Sequence, residues 1–202
     1  MFPHFLARQL SRPSGLFGRL VMRVMNRGNG KMNAFAVRQL ALDPSDRVLE
    51  VGFGGGVTLP FLMAGAARVT GVDRSADVVR RARAAFTAAI AVGHADFLEG
   101  QVEALPFDAA SFEKVCTVNT VYFWRSLDAG CAEIHRVLAP GGRAVIGFLP
   151  KERMDRMGVP RDIFTSRATD EVTAALAKAG FETVRVERPE PHTPWNVVVA
   201  VR

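Results

Sequence analysis

The stretch RVLEVGFGGG, residues 47–56, decides the fold of this chain. An apolar strand runs through Val51 into a glycine-rich turn, and a helical segment follows the turn. Glycine permits positive φ and lets the backbone approach a ligand without a Cβ in the way, and a helix N-terminus offers free N–H groups to a carboxylate or phosphate. A nicotinamide-type G-x-G-x-x-G would need glycine at position 57, where the chain has Val57. The spacing is instead E-x-G-x-G-x-G from Glu50, which predicts a ligand-binding turn at the end of a strand.

Outward from this stretch, strand-like apolar runs alternate with helical stretches, which is typical of a parallel sheet covered by helices on both faces. Strands are predicted at residues 47–51, 68–73, 94–98, 113–118 and 142–149, and helices at 57–64, 75–90, 127–138 and 169–179. Two further apolar runs, 181–186 and 196–201, are separated by three prolines and predict an antiparallel hairpin at the edge of the sheet. The sequence therefore predicts an α/β fold with a mostly parallel sheet of seven strands.

A carboxylate follows the glycine turn by about twenty residues. The run 68–73 ends in Asp73, at the carboxyl end of the second predicted strand. A carboxylate in this position accepts hydrogen bonds from the hydroxyls of a ribose. Ser75, just beyond, suits the N-cap of the next helix, and the two roles are compatible. Asp73 is therefore the first candidate for holding a nucleoside.

The E-x-G-x-G-x-G turn resembles motif I of the class I S-adenosylmethionine-dependent methyltransferases, in which this loop wraps the methionine moiety of the cofactor. Residues 100–107 and 111–115 resemble the segment that borders adenine in the methyltransferases related to quinone biosynthesis. Residues 136–143 resemble the helix-to-strand turn of the same family. These matches lie in order between residues 47 and 149, and residues 12–29 resemble the cap of small bacterial methyltransferases of this kind.

The resemblance implies a Rossmann-like fold with S-adenosyl-L-methionine as cofactor and S-adenosyl-L-homocysteine as product. The cofactor-binding residues that it implies are Glu50, Gly52, Gly54, Gly56, Asp73, Arg74, Gln101, Val102 and Asn119. Arg74 stands where the family commonly packs an apolar residue on adenine, so its guanidinium either stacks on adenine or points into solvent, and we favour solvent. Gln101 stands where an Asp is common, and its side-chain carbonyl can still accept a hydrogen bond.

The methyl acceptor is expected outside the carboxyl ends of the strands, near the end of the fourth strand. Candidate residues there are Asn119, Thr120, Tyr122, Phe123 and Trp124. Asn119 and Tyr122 match the first and last positions of the N-P-P-Y motif of amino-group methyltransferases, but both prolines are missing, so amino methylation is not favoured. These two are the candidate catalytic residues, with Tyr122 either contacting substrate or packing in the core. No close cluster of ligands indicates a metal.

Composition is consistent with a cytoplasmic protein of one main domain. The chain has 202 residues, of which 49% are hydrophobic, enough for one α/β domain with a large core. The two cysteines, Cys116 and Cys131, indicate neither a disulfide framework nor a zinc site. No apolar run approaches the roughly 20 residues of a membrane span, and the N-terminus lacks a secretory signal. We therefore expect a cytoplasmic location.

The net charge of +6 is concentrated at the N-terminus. Seven basic residues and no acidic one precede Asp43, whereas the remaining 19 basic residues face 20 acidic ones. A nucleic-acid enzyme more often carries basic residues across its body, so this pattern makes nucleic acid an unfavoured partner. We divide the chain into an N-terminal helical cap, residues 1–42, and a methyltransferase domain, residues 43–202.

The cap is predicted to be helical over residues 4–41, with a break at 28–30. Between residues 16 and 25 its apolar side chains share one face, and Arg19, Arg23 and Arg27 lie opposite. Such a helix either closes as a lid over the substrate pocket or touches an anionic lipid surface, and the lid is favoured because methyl transfer needs water excluded. Possible peripheral membrane contact stays as the alternative.

The sequence is consistent with three functions. The main hypothesis is transfer of a methyl group to a small, hydrophobic metabolite. The second is a nucleic-acid (RNA) methyltransferase, which the high isoelectric point favours and steep salt dependence of binding would reveal. The third is a catalytically silent partner subunit that binds S-adenosylmethionine. The sequence decides neither the atom that is methylated nor the oligomeric state.

Overall fold

A computed structural model describes residues 3–11 and 29–202 of the chain. The helices are α1 (His4–Ser11), α2 (residues 29–40), α3 (Leu59–Gly65), α4 (Ala76–Ala85), α5 (Thr87–Ala91), α6 (Leu127–Val137), α7 (Lys151–Met157) and α8 (Thr169–Lys178). The strands are β1 (Arg47–Val51), β2 (Arg68–Asp73), β3 (Ala95–Glu99), β4 (Phe112–Val118), β5 (Leu138–Phe148), β6 (Thr183–Glu187) and β7 (Asn196–Val201). A 3-10 turn, Val121–Phe123, follows β4.

The seven strands form one sheet in the order β3-β2-β1-β4-β5-β7-β6. Strands β1 to β5 are parallel, and β7 is antiparallel to both β5 and β6. The predicted Rossmann-like, mostly parallel sheet with an antiparallel C-terminal hairpin is confirmed, with β6 at the edge and β7 inside the sheet. The strand order reverses between β1 and β4, which places a crevice for ligands outside the carboxyl ends of these two strands.

Helices cover both faces of the sheet because its central strands are apolar on both sides. β1 is buried throughout Val48–Val51, and alternate residues of that strand join different core clusters. One face packs against α1, α6 and α8, where Ile134 is fully buried. The other packs against α2, α3 and α4, where Leu62 is fully buried.

The predicted helix over 75–90 is instead two helices, because Phe86 interrupts it. Phe86 leaves helical geometry, with φ −113° and ψ 28°, between α4 and α5. Its ring packs against that of Phe97 in β3, with the centroids 5.6 Å apart. We attribute the break to this tertiary contact, which hydrophobic periodicity does not reveal.

Strand β5 begins at Leu138, four residues before the predicted start. Phe112 of β4 pairs with Leu138, whereas Lys114 pairs with Arg143, so β5 has three extra residues between these pairs. The predicted helix-to-strand turn, residues 136–143, therefore contains the end of α6 and an irregular first part of β5, which pairs with β4 from Leu138 onward. Gly141 in this segment has φ +75°. Helix α7 was not among the predicted helices.

The N-terminal cap is described only in part. α1 and α2 are helical as predicted, and residues 29 and 30 already belong to α2, so the expected break at 28–30 does not include them. Among the described residues no atom lies within 4 Å of a Cβ built on Gly30, so contacts in this part of the structure do not require glycine there. The predicted amphipathic face around Arg19 and Arg23 lies outside the described residues. Across the described ranges, no helix has both the length and the apolar character needed to cross a membrane.

Candidate functional site

The glycine turn follows β1 at the crevice between β1 and β4. Gly52, Gly54 and Gly56 have φ of +72°, +50° and +68°, so each occupies the left-handed region that other residues avoid. The Gly52 amide donates to the carbonyl of Val72 at 2.6 Å. A Cβ on Gly52 would lie 2.4 Å from Cγ2 of Thr120, which follows β4. The turn therefore lies directly against the next strand's loop, and only glycine fits at its first position.

Asp73 connects the glycine turn to β2. Its Oδ2 accepts a hydrogen bond from the Gly54 amide at 3.0 Å, and its Oδ1 accepts one from the Ser75 amide at 2.9 Å. The residue is 6% exposed, and burial raises the pKa of its carboxyl despite these two bonds. Backbone amides thus orient the carboxylate before any ligand binds, at the carboxyl end of β2 where the sequence places it.

Glu50 is the second buried carboxylate of the site. The Thr58 hydroxyl donates to its Oε1, whereas its buried Oε2 has no hydrogen-bond partner among the described residues. Burial first, and then the nearby charge of Asp73, raise the pKa of Glu50 to about 7, against the lowering effect of Thr58. A buried acceptor without a donor costs stability, so this atom fits a ligand that brings a cationic or hydrogen-bonding donor.

The buried Glu50 carboxyl makes the stability of the ligand-free protein depend on pH. Its pKa is raised from 4.5 to about 7 on folding, so between these values the folded state holds a proton that the unfolded state has released. The stabilising contribution of the Glu50 carboxyl is therefore fully present below pH 4.5 and is lost as pH rises to about 7. Relative to a Glu50→Gln variant, we expect the wild type to lose roughly 3 kcal/mol of unfolding free energy across this window, as measured by urea unfolding.

Glutamine keeps the oxygen that accepts from Thr58, so the variant removes the titration and preserves the hydrogen bond. Carboxylates that do not interact with Glu50 titrate in both proteins and cancel in the difference between the two curves, whereas Asp73 is coupled to Glu50 and contributes to that difference. Parallel curves for the two proteins from pH 4.5 to 7.5 would show that Glu50 titrates normally.

The candidate acceptor residues lie at the end of β4 and in the 3-10 turn. Asn119 has φ +58°, and its Oδ1 accepts a hydrogen bond from the Tyr122 hydroxyl at 3.1 Å. The same hydroxyl accepts from the Leu149 amide at 2.5 Å. Tyr122 is 3% exposed, and burial raises the pKa of its phenol well above the usual range. The tyrosine is therefore poorly suited to act as a base and well suited to orient Asn119.

Thr120 and Trp124 stabilise the 3-10 turn through hydrogen bonds and packing. The Thr120 hydroxyl accepts from Nε1 of Trp124 at 3.2 Å and shares a hydrogen bond with the Thr117 hydroxyl. The Trp124 ring lies against Gly130 of α6, where a Cβ would be 2.7 Å from the ring. Trp124 is 5% exposed, so packing against α6 holds the whole turn at the mouth of the crevice.

Arg74 is exposed, as the favoured interpretation expects, and its guanidinium also makes two hydrogen bonds at the surface. Its guanidinium donates to the Ser11 hydroxyl of α1 at 3.0 Å and to the carbonyl of Phe123 at 3.5 Å. The side chain therefore connects the cap to the 3-10 turn. The sequence did not reveal this link because Ser11 and Arg74 are 63 residues apart.

A cavity of about 440 Å³ brings most of the predicted residues together. Its lining includes Glu50, Gly52, Gly54, Asp73, Arg74, Gln101, Val102 and Asn119. Gly56 does not line it; a Cβ there would face Leu59 and Phe86. Among the residues that the structure describes, no three histidine, cysteine or acidic side chains are grouped to hold a metal ion.

One end of this cavity is apolar and was largely missed by sequence reasoning. It is lined by Leu10, Phe123, Leu149, Met154, Met157, Val159 and Phe164. The rings of Phe123 and Phe164 pack 4.9 Å apart. The segment 150–168 carried only a weak signal, the spacing of Met154 and Met157 on one face of a short helix. The site thus has a polar end at the glycine turn and an apolar end under α1 and α7.

The chain is similar in sequence and in fold to known methyltransferases. The family model for a methyltransferase domain matches residues 49–146. An uncharacterized methyltransferase of Synechocystis sp. is 31% identical over 169 residues, which cover 78% of this chain and 77% of that protein. A demethylmenaquinone methyltransferase of Chlorobaculum tepidum is 35% identical over 112 residues, which cover 55% of this chain and 44% of that protein. The solved structure of an S-adenosylmethionine-dependent methyltransferase from Mesorhizobium loti matches with a TM-score of 0.70 and 21% identity, covering 85% of this chain and 98% of that one.

Proposed function

This chain belongs to the S-adenosylmethionine-dependent methyltransferases, and we propose that its acceptor is a small, hydrophobic metabolite. The proposal rests on the apolar end of the 440 Å³ cavity. The opposite, polar end of the same cavity is formed by the glycine turn. Concave sites lined by apolar side chains with a few polar groups are typical of small-molecule ligands. The relative named demethylmenaquinone methyltransferase is consistent with an apolar acceptor.

The polar end of the cavity fits S-adenosylmethionine. The unpartnered Oε2 of Glu50 suits the ammonium group of the methionine moiety, and Asp73 suits the ribose hydroxyls. Gly52 and Gly54 leave room for the backbone to approach the cofactor. Arg74, Gln101, Val102 and Asn119 complete the proposed set, while Gly56 acts only through the shape of the turn.

The cofactor supplies a methyl group on a sulfonium that is already a good leaving group. The work left to the protein is to orient the acceptor in line with the methyl–sulfur bond and to exclude water. We assign the orienting role to Asn119, which Tyr122 holds through its hydroxyl. Tyr122 is a positioning residue in this proposal, because its phenol stays protonated and bonded to Leu149.

The cap acts as a lid over the acceptor end. Leu10 and Ser11 of α1 line the cavity, and Ala7 is fully buried against the domain. The Arg74 bond to Ser11 holds α1 beside the 3-10 turn. A helix placed in this way shields the reacting atoms from water, which supports a lid role for α1.

The test is to incubate the protein with S-adenosylmethionine carrying a labelled methyl group and an extract of bacterial cells, and then to fractionate the products. We expect label in the organic-soluble, low-molecular-weight fraction and none above background with an Asp73→Ala variant. Label in precipitated RNA or protein would overturn the acceptor proposal. Binding of S-adenosylhomocysteine without transfer to any fraction would favour the silent partner subunit.

A further inference from the structure

The buried hydroxyl of Tyr122 lies between two polar groups, and these fix the direction of its proton. The Leu149 amide donates to the hydroxyl oxygen at 2.5 Å, and the same oxygen lies 3.1 Å from Oδ1 of Asn119. Because the amide hydrogen already points at the hydroxyl oxygen, the phenolic proton points toward Asn119. The hydrogen bonds therefore run in one direction, from Leu149 through Tyr122 to Asn119.

This direction determines which end of the Asn119 amide faces Tyr122. With Nδ2 in place of Oδ1, two donors would meet at the hydroxyl oxygen, and the phenolic proton would have no acceptor at Asn119. A buried donor without an acceptor is strongly disfavoured. Oδ1 is therefore held toward the core as an acceptor, and Nδ2 is the end of the amide that is left to meet a ligand.

Nδ2 is also the one donor that the 3-10 turn leaves available. The Thr120 hydroxyl accepts from Nε1 of Trp124 and bonds with the Thr117 hydroxyl. Of the polar side-chain atoms in residues 119–124, Nδ2 alone has no hydrogen-bond partner among the residues that the structure describes. Asn119 is partly exposed and lines the cavity, so Nδ2 is accessible from it.

The backbone of Asn119 is held in place as firmly as its side chain. Its φ of +58° lies in the left-handed region, which costs energy for a residue with a Cβ. Its amide donates to the carbonyl of Gly147 in β5 at 2.8 Å. Backbone strain of this kind is concentrated at functional sites, where the surrounding structure maintains it. Asn119 is thus positioned at both ends, with its donor toward the cavity.

We infer that Asn119 is a specificity-determining residue whose Nδ2 donates to an ionised oxygen of the acceptor, and that the site selects such an acceptor over an amine. The inference rests on the proposed function, since it identifies the class of the small hydrophobic acceptor. An ionised oxygen accepts strongly from an amide N–H. A neutral amine has one lone pair, which the methyl group requires, and its N–H groups would face another donor at Nδ2.

An ionised oxygen has electron pairs for both tasks. One pair accepts from Nδ2 of Asn119, and a second pair, or the pair on a carbon conjugated to the oxygen, forms the bond to the methyl carbon. The methyl–sulfur bond breaks and its electron pair stays on sulfur, so the negative charge of the acceptor and the positive charge of the sulfonium both disappear. No proton leaves the acceptor in this step, which agrees with a Tyr122 hydroxyl whose oxygen and proton are both engaged.

Calorimetric titration of the protein saturated with S-adenosylhomocysteine tests the inference with three probes of one shape. Pentafluorophenol is ionised at neutral pH, pentafluoroaniline carries N–H donors in place of the oxygen, and pentafluorobenzene carries neither group. We expect the wild type to bind the ionised phenol about tenfold more tightly than the aniline. Dividing each affinity by that for pentafluorobenzene removes changes in the apolar contacts of the cavity.

Two variants of Asn119 remove the donor in different ways. Asn119→Asp replaces Nδ2 with an oxygen, keeps the acceptor for Tyr122 and tolerates the left-handed φ. Asn119→Gly removes the donor without adding charge. We expect the normalised affinity for the ionised phenol to fall about tenfold in the first and about fivefold in the second. The control is Asn33→Asp, which makes the same change on α2 in the lining of the same cavity and should cost about twofold or less.

Tyr122→Phe tests the positioning of the amide. Without the hydroxyl the Asn119 amide is free to rotate and present either end, so the preference for the ionised phenol over the aniline should fall to about twofold or less. A residue that only supported the fold would change the binding of both probes alike. The Leu149 amide loses its acceptor in this variant, so urea unfolding checks that the protein is folded. If it does not fold, the Asn119 variants decide.

Three results would overturn the inference and leave the methyltransferase proposal intact. These are an ionised phenol that binds the wild type no more tightly than the aniline, a normalised affinity unchanged in both Asn119 variants, and an equal loss in Asn33→Asp. Weaker S-adenosylhomocysteine binding in both Asn119 variants with an unchanged probe preference would show that Nδ2 serves the cofactor instead. Failure of the wild type to bind S-adenosylhomocysteine would strike the proposed function itself.

Discussion

Replacing Asp73 with alanine is expected to weaken binding of S-adenosylmethionine and S-adenosylhomocysteine by about 100-fold, the loss of two hydrogen bonds to a charged acceptor. The carboxylate lies at the carboxyl end of β2, and its two oxygens already accept from Gly54 and Ser75. Alanine therefore removes both the proposed contact with the ribose and the bond that positions the glycine turn. Calorimetric titration of both ligands measures the effect.

The control for Asp73→Ala is Asp77→Ala, which makes the same change in charge in the first turn of α4. Asp77 is partly exposed and pairs with Arg80 on the surface, so its loss should leave the affinity within about twofold of the wild type. An Asp73→Asn variant keeps one acceptor oxygen and should lie between the two. Wild-type affinity in Asp73→Ala would remove this residue from the cofactor site.

A Gly52→Ala variant is expected to lose about 4 kcal/mol of unfolding free energy, together with cofactor binding. Two costs add. An alanine at φ +72° strains the backbone by about 1–2 kcal/mol. Its Cβ would also lie 2.4 Å from Cγ2 of Thr120 and force the glycine turn away from the loop after β4, which costs about 1–3 kcal/mol. Urea unfolding measures the stability, and titration with S-adenosylhomocysteine measures the site.

Two further variants separate these costs. Gly141→Ala has a similar φ of +75° with no atom within 4 Å of the added Cβ, so it should show the strain alone. Thr120→Ser removes Cγ2 and keeps the hydroxyl that accepts from Trp124. The Gly52→Ala, Thr120→Ser double variant should therefore be more stable than the sum of the single losses predicts. Additive losses would mean that contact with Thr120 does not limit the position.

Much of the polar end of the site was predictable because residues close together in the sequence form it. The glycine spacing after β1 specifies three residues of positive φ, which few other residues tolerate. Asp73 follows an apolar run of strand length, so its place at the carboxyl edge follows from the parallel arrangement of β1 and β2. The structure shows the contact of Asp73 with Gly54. The binding of the cofactor by Asp73 stays a prediction.

The acceptor end was less predictable because its members come from distant parts of the chain. Phe123 follows β4, Phe164 follows α7, and Leu10 belongs to the cap, yet all three line one cavity. Arg74 is exposed, as expected, but its hydrogen bond to Ser11 of α1 could not be predicted. No periodicity or spacing links such residues, since their proximity depends on how the helices cover the sheet.

The sequence by itself determined the α/β class, the mostly parallel sheet, the family and the position of the glycine turn, because each follows from hydrophobic periodicity or from residues close together in the chain. Only the tertiary structure decided that Phe86 divides a helix, that Tyr122 holds Asn119, and that Arg74 bonds to Ser11. These features arise from packing between segments far apart in sequence, where side-chain volume and charge meet only after the chain has folded.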